Sequence, residues 1–238
     1  MRGLLYIVLL GGAVLVLLTY VVLPAAAAGV LTVTISAAGL DAPDTVVRVR
    51  SDPPWDLLGL NADQVQVRAT HATFHGLAVD TLAIDLSDVA ILGRTAGSVV
   101  GRLDGVTLTG VGARDIRLAT VTLSGTGQAL TATSEVTATA AETLVADAVE
   151  ATIGTRPSSV TLGAPDQVTV RVGSDVTGSL RVRADGTLVA GLEGGRLTGR
   201  EGVLLPADAS LPFTLVSVTV TTAGSLRIVG SLPGGLLG

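Results

Sequence analysis

Cysteine and lysine are both absent from this chain of 238 residues. Without cysteine, the protein has no disulfide bonds, thiolate nucleophiles or cysteine metal sites. All 15 basic residues are therefore arginine. The high content of Ala, Val, Gly, Thr, Arg and Asp is typical of GC-rich coding, so the missing lysine carries little functional information.

Charge and aromatic residues are also scarce. Charged residues make up 15% of the chain and the net charge is −5. After the first 23 residues the aromatic side chains are Trp55, Phe74 and Phe213. Nucleic-acid-binding proteins usually present a basic surface and aromatic platforms for base stacking. We therefore expect no nucleic-acid partner.

The N-terminal segment, residues 1–24, carries one long uncharged run. Arg2 precedes Leu4–Leu23, which contains no charged residue. Twenty residues of helix span about 30 Å, the thickness of a bilayer core. The run is either a retained signal anchor in the cytoplasmic membrane or a signal peptide cleaved near Ala25–Ala28. Both alternatives predict a cell-envelope location outside the cytoplasm, because a single arginine before the run keeps the N-terminus inside.

Alternating apolar and polar residues predict strands through most of the remaining chain. The alternation is clearest in 47–50, 64–69 and 82–86, and a period of two gives a strand one apolar and one polar face. A turn at His75-Gly76 separates the last two strands. Between the first two, Pro53-Pro54 and a leucine-rich segment around Trp55 predict a short turn or helix that plugs the sheet.

One soluble helix is predicted over Thr139–Ile153. Thr139 and Glu142 have the spacing of a capping box, and Gly154 follows where a left-handed cap belongs. The stripe that includes Leu144 and Val149 is expected to pack into the concave side of the sheet. For Pro24–Ala38 the sequence leaves helix and strand open.

Glycine-punctuated strands fill much of the rest. We expect strands in 98–138, 167–172, 180–183 and 188–192, with a hairpin turn at Asp185-Gly186. Residues 191–209 read as a loop, and strands at 213–220 and 225–229 close the sheet. This indicates a single β-rich domain over residues 25–232, which alternatively consists of two repeated units, 25–138 and 139–232. We expect residues 233–238 to form a flexible tail.

The sequence offers little chemistry. His71 and His75 lie about 13 Å apart on a strand, too far for one metal ion. Gly110-Val111-Gly112 lacks the third glycine of a dinucleotide fingerprint, and the Gly-x-Ser-x-Gly signature of a nucleophilic serine is absent. We therefore expect no enzyme activity, no metal and no cofactor.

The apolar spacing resembles the LmeA-like phospholipid-binding proteins of the bacterial cell envelope. The similar segments are Val47 and Val49, Pro54–Leu58, Val65–Ala69 and Gly76–Val89, together with a closing hairpin that starts at Leu211-Pro212-Phe213. The resemblance implies an α+β, β-dominated fold, in which curved antiparallel sheets wrap around one or two helices, as in tubular lipid-binding proteins. It also implies phospholipid binding.

We therefore predict an extracytoplasmic protein that holds a phospholipid, or another acyl lipid, by its acyl chains in an apolar groove, for lipid transfer or envelope maintenance. Valine, alanine and threonine on wide strands leave space that suits an acyl chain. The alternative is a β-rich structural scaffold of the envelope, in which the same residues only fill a core. The candidate lipid-binding residues are Trp55, Leu57, Leu58, Phe74, Leu82, Ile84, Leu144, Val149 and Phe213.

Overall fold

The computed structural model describes residues 23–37, 40–74, 77–91, 93, 95–108, 116–194, 197–207 and 213–233. The run Leu4–Leu23 apart from its last residue, the His75-Gly76 turn, the Gly110-Val111-Gly112 segment and the tail beyond 233 lie outside these residues. Among the helices within them, none has both the length and the hydropathy needed to cross a membrane.

The described part of the chain is dominated by antiparallel β-structure. Its elements are helix α1 (Leu23–Ala37), β1 (Leu40–Asp41), β2 (Val46–Arg50), 3-10 helix η1 (Pro54–Gly59), β3 (Asn61–Phe74), β4 (Leu77–Ala90), β5 (Thr95–Leu108), β6 (Ile116–Gly125), β7 (Ala129–Val136), helix α2 (Ala138–Ile153), β8 (Ser159–Gly163), β9 (Gln167–Val172), β10 (Ser174–Val182), β11 (Leu188–Glu193), β12 (Arg200–Leu205), β13 (Thr214–Val220) and β14 (Leu226–Pro233). The prediction of a β-dominated α+β protein is confirmed at this level.

The larger sheet has nine strands, in the order β1-β3-β4-β5-β6-β7-β14-β13, with β2 also paired to β3. Its register brings the apolar residues of neighbouring strands into rows on one face. Val67, Ile84, Gly101 and Leu123 form one such row. These apolar positions are buried while many of their chain neighbours are exposed, so the sheet has one inner apolar face and one outer polar face.

Arginine–aspartate pairs cover the outer face of the larger sheet. Arg68 on β3 makes two hydrogen bonds of 3.0 Å to the carboxylate of Asp85 on β4. Arg102 donates to Asp104, which also accepts a 2.7 Å bond from the Thr120 hydroxyl. Exposed pairs of this kind add little stability individually. The two charges of each pair neutralise each other on the outer face, and these side chains place no charge toward the core.

The smaller sheet is a five-stranded meander in the order β12-β11-β10-β9-β8. Helix α2 packs on it and buries Ala141, Val145 and Val149. The helix approaches β12 closely at Gly202, where an added Cβ would lie 3.0 Å from the backbone carbonyl carbon and oxygen of Ala148. A glycine at this position therefore sets the spacing between the helix and the sheet.

Helix α1 answers a question that the sequence left open, and helix α2 begins differently from the prediction. Residues 23–37 are helical, and the Thr32 hydroxyl donates to the Ala28 carbonyl, which accommodates a β-branched residue within the helix. Helix α2 begins at Ala138 after Thr137, with no side-chain cap, so the predicted capping box of Thr139 and Glu142 is wrong. Gly154 does end the helix in the left-handed conformation, with φ of 75°.

One further prediction differs in the C-terminal half of the chain. Residues 191–209 are not a loop, because they contain the end of β11 and all of β12. The order of a helix followed by a meander occurs twice, at α1 and at α2. However, β13 and β14 belong to the larger sheet, where β14 pairs with β7. The larger sheet therefore contains strands from both 25–138 and 139–232.

Candidate functional site

The inner face of the larger sheet encloses an apolar cavity with a volume of about 150 Å³. A buried water needs about 10–15 Å³ on the same measure, so the space is about ten times larger than a packing defect that holds one water. The lining consists of aliphatic side chains with one phenylalanine, one serine and two glycines. The lining residues are Leu31, Val65, Val67, Leu77, Val79, Leu82, Ile84, Leu86, Val89, Ala96, Val99, Leu103, Val106, Leu108, Ile116, Leu118, Val121, Leu123, Gly127, Ala132, Ser134, Val136, Leu144, Leu205, Phe213, Leu215, Ile228, Gly230 and Leu232.

The elements that border the cavity come from both halves of the chain. Inward residues of β3 to β7 form most of its wall, and β13 and β14 complete it. Leu31 of α1 contributes from the first helix, whereas Leu144 of α2 and Leu205 of β12 contribute from the layer that contains the smaller sheet. Since seven strands of one face surround a common space, this face of the larger sheet is concave.

Polar groups are nearly absent from the lining. The one hydroxyl, Ser134 Oγ, already donates a 3.0 Å hydrogen bond to the Thr120 carbonyl. Water inside the cavity would therefore find few hydrogen-bond partners, and large apolar cavities without such partners stay dry or take up apolar molecules. Among the described residues that line the cavity, none is ionisable. The described lining therefore offers mainly apolar contacts to any molecule inside the cavity.

Four of the sequence-predicted site residues line the cavity. Leu82 and Ile84 face it from β4, Leu144 faces it from α2, and Phe213 faces it from the segment before β13. Phe213 packs on Gly230 of β14, where a Cβ would lie 2.8 Å from Phe213 Cδ2. The aromatic ring and the strand opposite it thus meet at one end of the wall.

Four other predicted residues do not line the cavity. Trp55 and Leu58 are 60% and 70% exposed, and Leu57 is buried elsewhere. A 3-10 helix has three residues per turn, so Trp55 and Leu58 share one side of η1 and Leu57 lies on another. The expected apolar plug is therefore reduced to Pro54 and Leu57. Val149 is buried in the packing of α2 on the smaller sheet, and the Phe74 side chain lies outside the described residues.

Most of the wall was missed as a site by sequence reasoning, although the signal was present. The alternation in β3 to β7 identified inward residues such as Val65, Val67 and Leu86, but core and cavity walls have the same pattern. The aromatic residues were instead chosen as candidate lipid-binding residues because of their size. A more direct signal was the consistent use of medium-sized aliphatic residues on the inner face of five successive strands.

The perturbed ionisable groups lie on the outside of the molecule. Hydrogen bonds from Arg102 and Thr120 lower the pKa of the Asp104 carboxyl. The Arg171 guanidinium similarly lowers the pKa of Asp175, and the backbone N–H of Thr187 lowers that of Asp185. Within the described residues, no group of three His, Asp or Glu side chains is arranged to hold a metal ion.

No protein-family model, curated protein or solved structure matches this chain. Its class is therefore defined by its architecture: a β-dominated α+β protein in which a concave nine-stranded sheet encloses an apolar cavity.

Proposed function

We propose that the chain is an extracytoplasmic phospholipid-binding protein that holds acyl chains in the apolar cavity, anchored in or exported across the cytoplasmic membrane. The observation that carries the proposal is the cavity itself, with its volume of about 150 Å³ and its aliphatic lining. The resemblance to LmeA-like proteins and the uncharged run Leu4–Leu23 support the same function. The tubular character of the fold is part of this proposal.

Burial of acyl chains accounts for binding without any charged contact. Each buried methylene contributes about 0.8 kcal/mol. Ten buried methylenes would contribute about 8 kcal/mol, which exceeds the lower estimates of the cost of association and ordering, about 4–15 kcal/mol. Each further buried methylene adds to the net binding free energy. The phospholipid headgroup would remain outside the cavity, because the lining has no group to neutralise or solvate it.

The test is native mass spectrometry of the full chain, released from detergent after extensive washing, followed by identification of any bound lipid. Ala132 is buried and faces the cavity, whereas its neighbour Thr131 on β7 is exposed on the opposite face. Ala132→Phe should fill part of the cavity and abolish lipid retention. Thr131→Phe adds a phenyl ring to the outer face of the same strand and should leave retention unchanged.

Both variants must keep the parent's circular dichroism spectrum for the comparison to hold. If the parent carries no lipid, or if Ala132→Phe retains as much lipid as Thr131→Phe, the cavity is not the binding site. The first of these outcomes would favour the alternative of a structural envelope scaffold, whose aliphatic wall only packs a core.

A further inference from the structure

A single polar side chain is set into the aliphatic wall of the cavity. Of the described residues that line the cavity, only Ser134 has a polar side chain. Ser134 of β7 pairs in register with Val121 of β6 on one side and with Ile228 of β14 on the other. The same row continues through Leu103 of β5 to Leu82 of β4. All five residues of this row line the cavity.

This row lies in the middle of the wall and faces open space. Leu103 and Val121 are only partly buried. By contrast, Val99 and Val106, which line the cavity on either side of Leu103 along β5, are 1% and 2% exposed. Ser134 is itself 7% exposed. A ligand that fills the cavity therefore meets Ser134 partway along its length.

The Ser134 hydroxyl can accept a hydrogen bond, but its own proton is already used. A serine hydroxyl has one proton to donate and two lone pairs that accept. Ser134 Oγ donates to the Thr120 carbonyl at 3.0 Å. The pairing of β6 with β7 begins only at the next residue, Val121, so this bond satisfies a carbonyl at the end of a ladder. No described group donates to Ser134 Oγ, and its lone pairs remain free.

An acceptor without a donor selects among the polar groups that an acyl chain can carry. A carboxylate, or an ester or amide carbonyl, needs a donor, and no described side chain of the lining has one to spare. An ammonium group would bring a charge that no described lining residue neutralises. A neutral alcohol needs one acceptor for its proton, and Ser134 Oγ provides it.

We infer that Ser134 determines the specificity of the cavity, and that the preferred ligand is a lipid whose acyl chain carries one hydroxyl group partway along its length. This inference rests on the proposed lipid-binding function and names the class of acyl chain. The hydroxyl donates to Ser134 Oγ, while the rest of the chain contacts the aliphatic wall. This hydrogen bond also fixes how deeply the chain lies in the cavity.

Competition between two lipids for the same protein tests the inference. The full chain in detergent is incubated with equal amounts of stearoyl lysophosphatidylcholine and one hydroxystearoyl isomer, and the hydroxyl position is moved along the chain from isomer to isomer. Native mass spectrometry gives the ratio of the two complexes, because the added oxygen changes the mass. One mid-chain isomer should bind within about threefold of the plain lipid, and isomers with a deeper hydroxyl should bind about tenfold more weakly, because a buried donor without a partner is costly.

Variants at position 134 separate recognition from stability. Ser134→Ala removes the acceptor, so the preferred isomer should lose about tenfold relative to the plain lipid and behave like the others. Ser134→Thr keeps a hydroxyl and should keep the preference. Thr131→Ala removes a hydroxyl from the exposed face of the same strand and should leave the ratio unchanged. Because both lipids compete for the same molecules, the ratio does not depend on how much of a variant is folded.

The outcomes distinguish this inference from the proposed function. If the plain lipid binds but its ratio to every isomer is the same in the parent and in Ser134→Ala, the hydroxyl serves only Thr120 and the inference is wrong, while the cavity proposal stands. If neither lipid binds the parent, both proposals are wrong. Ala132→Phe should lose both lipids, and retention of both would place them outside the cavity and contradict both proposals.

Discussion

Gly105 lies in a row across β3, β4 and β5 that also contains His71 and Asp80. Gly105 and His71 both have positive φ, of 63° and 50°. Backbone in this region departs from the extended conformation, so the row allows the long strands to bend. An added Cβ at Gly105 would overlap the Asp80 carboxylate, which forms an ion pair with Arg117 across the outer face.

Gly105→Ala should therefore destabilise the fold by about 1–3 kcal/mol through backbone strain, and further through the overlap with Asp80. Urea unfolding followed by circular dichroism measures the change. Gly154→Ala is the control, because Gly154 has a similar φ of 75° but no atom within 4 Å of an added Cβ. Adding Asp80→Ala to Gly105→Ala should recover part of the excess over the control, because it removes the carboxylate but keeps the Asp80 Cβ, which lies 2.9 Å from the added Cβ. Equal losses at Gly105 and Gly154 would contradict the overlap.

Asp104 links stability to pH. Its folded-state pKa is lowered by hydrogen bonds from Arg102 and Thr120, so the ionised form is favoured in the folded protein. The stabilisation is present above the ordinary aspartate pKa and is lost as the pH falls through the lowered value. Asp104→Asn should be less stable than the parent near neutral pH.

The difference between the Asp104→Asn variant and the parent should shrink as the solution is acidified below the ordinary aspartate range. Melting temperatures over a pH series would show this convergence, and Arg102→Gln should reproduce it from the partner's side. A difference that persists unchanged in acid would assign the effect of Asp104→Asn to packing.

The sequence predicted which residues face inward wherever apolar and polar residues alternate regularly along a strand. Leu82 and Ile84 could be assigned to an inner face because their alternation is regular over β4. Trp55 and Leu58 could not be placed, since η1 is six residues long and its exposed side depends on how α1 and β3 pack around it. Large apolar residues in a short helical turn are equally compatible with a plug and with a surface.

Helix α2 presents different residues to its two surroundings. Val149 is fully buried against the smaller sheet, whereas Leu144 is half-buried and borders the cavity. Truncation of a rigidly packed large residue costs about 2–5 kcal/mol. We expect Leu144→Ala to cost no more than the low end of this range, because the cavity already removes contacts from one side of the leucine.

Lipid retention distinguishes the two sides of α2. Leu144→Ala should change lipid retention and lower the free energy of unfolding less than Val149→Ala does, whereas Val149→Ala should lower stability with little effect on lipid. Chemical denaturation and native mass spectrometry of both variants provide the comparison. If Leu144→Ala destabilises the protein more than Val149→Ala and leaves the bound lipid unchanged, α2 does not border a binding site.

Element boundaries were predicted least well where local signals competed with packing. The Thr139–Glu142 spacing matched a capping box, but the helix begins one residue earlier than predicted, at Ala138, and its N-cap residue Thr137 makes no side-chain cap. Strand β12 was not predicted because the segment around it is rich in glycine. In addition, its apolar residue Val203 is exposed, so the strand lacks the alternation of apolar inner and polar outer residues. Its pairing with β11, including Leu192 opposite Arg200, could not be read from either strand alone.

At the scale of the whole molecule, the acidic charge and the aliphatic cavity predict binding that responds little to salt. Apolar burial is not screened, whereas exposed charge contacts weaken as the Debye length falls to about 3 Å at 1 M salt. A fluorescent-lipid titration of the full chain at low and high ionic strength should therefore give nearly the same affinity. A large loss of affinity at high salt would mean that the headgroup, and not the acyl chain, carries the binding.

The assignment of strands to sheets had no signal in the sequence. Predicted strands at 213–220 and 225–229 were expected to close a sheet, but the pattern does not say which one. In the structure they pair with each other, and β14 also pairs with β7, which precedes α2 and the entire smaller sheet. Such non-local pairings depend on the summed packing of distant elements and not on local alternation.

Because β14 pairs with β7, folding of the larger sheet depends on the order in which the strands are synthesised. Strand β7 has β6 on one side and receives β14 on the other, yet α2 and six strands, β8 to β13, are made between β7 and β14. Until the last residues emerge, one edge of β7 is an open template with unpaired backbone groups, and another nascent chain can occupy it. The protein therefore reaches its closed form only when its C-terminal hairpin arrives, and shortened chains that lack this hairpin would be prone to associate through β7.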